Sequence, residues 1–154
     1  MDKPPSENAA AAATPDVSRL CRELRALLPA GAVLSTPAEL APYECDGLSA
    51  YRQRPPVVVI PQTIEQVQSV MRLCSARGVP VVARGAGTGL SGGALPHANG
   101  VLLVLARFDR ILSIDPLARV ARVQPGVRNL AISEAAAPHG LYYAPDPSSQ
   151  IACS

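Results

Sequence analysis

The chain has 154 residues, enough for about one domain, and its 48% hydrophobic and 17% charged residues exclude wholesale disorder. A net charge of +2, with the arginines spread along the chain, gives no footprint for nucleic acid or an anionic membrane surface. No apolar run approaches the roughly 18 residues of a membrane span.

Residues 1–15, MDKPPSENAAAAATP, read as a disordered tail. The alanines that follow Asp2 and Glu7 do not make the apolar core of a secretory signal, which needs about 7–15 apolar residues after positive charge. A cytoplasmic protein is expected. Residues 16–56 read as a helix and a connecting segment. Val17, Leu20, Leu24, Leu27 and Leu28 recur at helical spacing after Asp16, and Pro29 with Gly31 ends the run. Residues 35–56 connect, with Pro37, Pro42, Gly47, Pro55 and Pro56.

Residues 57–60 form a short β-branched run, a buried strand. Thr63 and Gln66 then make a capping-box pattern. Ile64, Val67, Met71 and Cys74 are expected on the buried face of the helix that follows, and Gly78 stands where a left-handed cap is wanted. Residues 79–83 are apolar again. Strand, capped helix and strand predict a βαβ unit with parallel strands. Residues 101–105 predict another strand. Residues 111–114 and 119–124 alternate around Asp115-Pro116-Leu117-Ala118, two strands joined by a turn. Residues 127–137 predict a helix ended by Pro138 and Gly140, and residues 141–154 an extended, Pro-rich segment. Cys21, Cys45, Cys74 and Cys153 are far apart and form no C-x-x-C pair. Buried thiols suit that spacing; a disulfide framework or a zinc site is the alternative.

The stretch Val81 to Gly100, VVARGAGTGLSGGALPHANG, carries the strongest chemical signal. A Walker-type loop needs a lysine, and none occurs after Lys3. Gly87, Gly89 and Gly92 fit the G-x-G-x-x-G spacing, and Asp109 stands where a ribose-binding acid would. That motif, however, must open a helix. Between Gly92 and the strand at Val101 there are eight residues, with Pro96 and an Asn-Gly pair among them. A crossover needs about 10–12 residues including its helix, so the Rossmann reading fails. A helix-free phosphate loop remains. Glycines reach φ > 0, so successive N–H groups converge on an anion, and bare backbone lets a diphosphate come close. Thr88 and Ser91 add hydroxyls. A turn that merely reverses the chain is the bland alternative.

Arg84-Gly85-Ala86-Gly87-Thr88-Gly89-Leu90-Ser91-Gly92-Gly93 resembles the pyrophosphate loop of the FAD-binding fold shared by vanillyl-alcohol oxidase and p-cresol methylhydroxylase relatives. YECDGLSAYRQRPPVVVIP (Tyr43 to Pro61), ARVQPGVRNLAISEA (Ala121 to Ala135) and the stretch from Tyr143 to Ser154 are similar, in the same order, to the FAD-binding subunits of bacterial glycolate oxidases. The resemblance implies an α+β fold: an FAD-binding domain of that type over 57–154, with a βαβ-containing first subdomain and the start of a second, truncated at its C-terminal end.

It also implies roles. The backbone of Arg84 through Gly93 would hold the FAD pyrophosphate, with Arg84 either a flavin contact or a strand-end charge. Pro145, Asp146, Pro147, Ser148 and Ser149, then Cys153 and Ser154, would be a second flavin-contacting stretch, against the bland reading of a surface loop. Pro61 would lie near the adenine side, and Gln124-Pro125-Gly126 either near the cofactor or in a structural turn. Thr88 stands where some relatives carry a flavin-linking histidine, so FAD is expected to bind non-covalently. His97 and His139 read as solvent or cap residues.

The implied chemistry is oxidation of a small 2-hydroxy acid such as glycolate. The alternatives are a piece of an FAD-linked D-lactate dehydrogenase, or a non-catalytic flavin-binding or partner-binding module. An iron–sulfur partner subunit is a possible partner. Membrane association is expected through partners only, and nucleic acid is not expected. The family's catalytic residues are expected beyond Ser154, leaving this chain alone inactive.

Overall fold

The computed structural model describes residues 16–154; the tail expected over 1–15 lies outside them. Helix α1 (Val17–Leu27) is capped by Asp16, whose Oδ1 accepts the Arg19 N–H at 3.0 Å. Its apolar stripe buries Leu20, Cys21 and Leu24. Strand β1 (Val33–Leu34) follows, then helix α2 (Pro37–Leu40) and a 3-10 turn, Ala41–Tyr43. The connecting segment is therefore more ordered than its prolines suggest. Thr36 and Glu39 form a complete capping box around α2, and Pro37 occupies its first turn, where a missing N–H costs nothing.

Strands β2 (Val57–Val59), β3 (Val81–Arg84) and β4 (Val101–Val104) are parallel, and β1 pairs antiparallel with β2. The sheet order is β1-β2-β4-β3. The βαβ unit forms, but its two strands are not neighbours: β4 sits between them, pairing Val101 with both Val57 and Val81. Strand period two then divides the core. Val57, Val59, Val101 and Leu103 face Leu24, Val70 and Cys74. Val58, Leu102 and Val104 face Leu40 and the half-buried Tyr43. Both sheet faces are thus covered, which is why β2 and β4 read as unbroken apolar runs.

Helix α3 (Ile64–Arg77) ends at Gly78, whose φ of +62° places it in the left-handed region expected for the cap. Two local expectations shift. Thr63 Oγ1 accepts the Gln66 N–H at 3.3 Å, but the Gln66 side chain accepts from Gln62 N at 2.7 Å, so only half of the box forms. The buried stripe is Val70 and Cys74 with Val67 and Leu73, while Ile64 and Met71 are exposed. Each residue advances about 100° around a helix, and the sheet selects a stripe centred on Val70 rather than Met71.

Strands β5 (Ile111–Asp115) and β6 (Val120–Val123) form the expected antiparallel hairpin, with a register irregularity between Ile111 and Ser113. Helix α4 (Asn129–Ala136) buries Ile132 and Ala136 and runs into a 3-10 turn, Ala137–His139. Gln124-Pro125-Gly126 is a tight turn welded to the end of the sheet. Gly126 N donates to Phe108 O at 2.8 Å, and a Cβ at Gly126 would stand 2.6 Å from Leu105 O. Residues 141–147 form no helix, strand or turn, whereas 148–152 turn, with Cys153 N donating to Ser149 O at 2.8 Å. All four cysteines are free thiols, Cys21 and Cys74 buried, Cys45 and Cys153 half-buried. No helix among the described residues is long and apolar enough to cross a membrane.

Candidate functional site

The glycine loop leaves the carboxyl end of β3, the end of a parallel sheet where ligands gather. No helix or strand forms between residues 85 and 100. Gly87 and Gly92 both take φ of +73°; Gly89 does not enter that region. Among the described residues, no N–H of residues 87–93 donates to a backbone carbonyl. A Cβ placed on Gly89, Gly92 or Gly93 would meet nothing within 4 Å. One face of the loop is therefore open peptide with unused donors. The stretch from Arg84 to Gly93 holds no acidic side chain, and Thr88 and Ser91 add hydroxyls. This donor set, bare of bulk and of negative charge, fits a diphosphate.

The two predicted stretches meet. Ala86 N donates to Ser154 Oγ at 3.0 Å, and a Cβ on Gly85 would stand 2.6 Å from that same oxygen. The segment leading to Ser154 is moored on the first turn of α4. Asn129 N donates to Cys153 O at 2.9 Å, Leu130 N to Gln150 O at 3.0 Å, and Asn129 Nδ2 to Pro145 O at 3.0 Å. Pro145, Asp146, Pro147 and Ser148 are exposed, and Ser149 and Cys153 are half-buried. The N–H groups that open α4 are thus already used by this chain. Pro61 is buried just beyond the end of β2. Gln124 Oε1 accepts Arg110 N at 3.0 Å and serves the turn. His97 is exposed and its Nδ1 accepts Asn99 N at 3.1 Å; His139 is exposed at the end of its turn.

The other face of the loop is backed by Arg84 and by residues 43–47, to which the sequence pattern gives no role at the loop. Arg84 is only 9% exposed. Its Nη1 donates to Cys45 O at 2.7 Å, its Cζ lies 5.7 Å from the Tyr43 ring centroid, and its guanidinium occupies the space a Gly87 side chain would need. Gly47 lies so close that a Cβ there would stand 2.6 Å from Thr88 O. Asp46 is buried: Oδ1 accepts Leu48 N at 2.9 Å and Oδ2 has no donor. The available signal was the Asp46-Gly47 dipeptide, a turn former; nothing local says what that turn touches. A separate cleft of about 310 Å³ lies between the hairpin, α4 and residues 141–144, and the loop does not line it.

Residues 55–154 match the family described as FAD binding domain. The chain is 64% identical over 144 residues to the glycolate oxidase subunit GlcD of Escherichia coli K12, covering 92% of this chain and 29% of that protein. It is 36% identical to a D-lactate dehydrogenase of Anaerostipes hadrus, over 70% of this chain and 23% of that one. Among solved structures, p-cresol methylhydroxylase with substrate bound superposes with a TM-score of 0.71 at 28% identity, over 80% of this chain and 25% of that one. The chain thus spans under a third of the length of these relatives.

Proposed function

From the chain's membership of the FAD-binding domain family, we propose that its glycine loop holds the diphosphate of FAD, within a protein that oxidises a small 2-hydroxy acid. The observation that carries this reading is the open face of residues 87–93, with its unused N–H groups, set against Ser154. Residues 84–93 form the cradle in this reading. Pro145 through Ser149, Cys153 and Ser154 approach the flavin as the second stretch. FAD, when bound, supplies the acceptance of hydride from the substrate α-carbon. The chain's own residues bind and orient. None is assigned proton transfer: its two histidines are exposed and the loop carries no carboxylate.

Glycolate is the favoured substrate because the 64% identical relative is a glycolate oxidase subunit; D-lactate is the second choice, from the 36% identical relative. The word subunit in that relative's name suits a multi-subunit assembly, with an iron–sulfur subunit proposed as the electron-accepting partner. Thr88 offers no imidazole, so the flavin is non-covalent.

About four charge-assisted hydrogen bonds from the loop, at roughly 1.5–3 kcal/mol each, are comparable to the estimated 4–15 kcal/mol cost of association. Tight binding therefore also requires burial of the adenine and isoalloxazine rings. The test is FAD titration of the protein by flavin fluorescence, comparing Gly89→Val with Gly87→Val. Gly89 is not at positive φ and its Cβ direction is open, so valine there blocks the approach of a diphosphate while the loop still forms. A loss of tenfold or more in FAD affinity without loss of folding is expected; unchanged affinity overturns the reading. Gly87→Val fails for a second reason, since φ of +73° strains a β-branched residue and the guanidinium of Arg84 fills its space. Acid precipitation is expected to leave the flavin in solution.

A further inference from the structure

We infer that Arg84 is a positioning residue for FAD, acting through the loop, and that the segment Tyr43–Gly47 is a clamp that fixes the loop from behind. This rests on the proposed FAD reading for its consequence, though not for its geometry. The clamp precedes residue 55, where the family match begins.

Four observations converge. Arg84 is buried, and among the described residues it has no ion-pair partner. A guanidinium withdrawn from water needs compensation, and here it comes from the Cys45 carbonyl and the face of Tyr43. Its flat group lies against Gly87, the residue where the loop takes positive φ. From the same segment, Gly47 presses its backbone against Thr88 and Gly89. Asp46 holds the 46–48 turn by accepting the Leu48 N–H at Oδ1, next in sequence to the carbonyl that takes Arg84. Two touching surfaces, Arg84 on Gly87 and Gly47 on Thr88, thus set the curvature of the loop before any ligand arrives. A planar fork is needed at position 84; a point charge on a flexible stem does not fill the same space.

The experiment is hydrogen exchange on the FAD-free protein, paired with FAD titration at several salt concentrations. Arg84→Met is expected to speed exchange at least tenfold at residues 43–48 and 85–89, with the amides of β4 protected as before. FAD affinity falls tenfold or more while its salt dependence keeps the wild-type slope. Arg84→Lys keeps the charge but does not restore either quantity. Gly47→Ala, which adds no charge and meets the loop at Thr88 and Gly89 rather than at Gly87, reproduces the local exchange pattern. It serves in place of Arg84→Met if that variant loses β4 protection. A direct ionic contact between Arg84 and the diphosphate predicts the reverse: unchanged exchange without FAD, a shallower salt slope, and rescue by lysine. Any of these three results overturns the inference. Failure of the wild-type protein to bind FAD would instead sink the proposed function, leaving the exchange result to judge the clamp.

Discussion

The four-stranded sheet and the β5–β6 hairpin are both written in apolar, β-branched residues, yet they end in opposite environments. Every residue of β2 and β4 is buried, whereas Leu112, Leu117 and Val120 of the hairpin are 53%, 98% and 57% exposed. The sheet has helices and a connecting segment on its two faces; the hairpin has two strands and one helix, α4. A two-stranded ribbon alone is marginal in water. Composition says that a strand forms, but the number of layers against it decides how much that strand stabilises. The proposed site lies where the two regions meet, its loop leaving the sheet and Ser154 arriving from the segment moored on α4.

The largest expected effect tests that contrast directly. Leu24 is fully buried against the sheet, so Leu24→Ala should cost about 2–5 kcal/mol. Leu117→Ala, at the hairpin tip, should stay within about 0.5 kcal/mol. Urea denaturation followed by circular dichroism measures both. Equal losses would mean that the hairpin is as deeply packed as the sheet, and the comparison would collapse.

A smaller effect probes the mooring. Asn129→Ala removes the bond to Pro145 O, worth about 0.5–1.5 kcal/mol, but also removes the buried Oδ1 that lacks a donor. The net loss should be about 1 kcal/mol or less. Its mark is local: faster proteolysis within residues 141–154 and faster exchange at Leu130, with β4 unaffected. Loss of β4 protection in this variant would show that the two regions unfold as one.

Legibility in the sequence follows the same division. Helix α1, the β-branched strands and the Gly78 cap were readable because each is set by neighbours within a few residues. The capping box of Thr36 and Glu39 was present too, hidden in a segment whose prolines suggested mere connection; Pro37 is a first-turn residue, not a breaker. The order β1-β2-β4-β3 was not readable, since period and propensity do not choose pairing partners. The stripe on α3 was misplaced for a related reason: several helical stripes were apolar, and the sheet chose among them. At the site, glycine density pointed to a cradle. Its backing by Tyr43, Cys45 and Gly47 was illegible, because the Arg84 to Cys45 contact spans 39 residues with no local signature.

The last effect shows only at alkaline pH. Burial pushes the Cys74 thiol up from 9.0 to about 11, because the interior between α3 and the sheet disfavours a thiolate. The folded state therefore holds this proton more tightly than the unfolded chain. The stabilisation is complete below the unfolded value of 9.0 and is lost as pH rises through about 11. Urea midpoints measured from pH 8 to 11 should fall over that window, and Cys74→Ala should flatten the fall. Cys21, also raised by burial, belongs to the same protected class. Cys153, half-buried in the segment moored on α4, does not share that burial. At pH 8, a thiol reagent should label Cys153 well before Cys74. Since the thiolate is the reacting form, both burial and proton affinity slow the sheet cysteine. Labelling at matching rates would mean that the sheet opens as readily as the periphery, and the contrast between the two regions would then rest on static exposure alone.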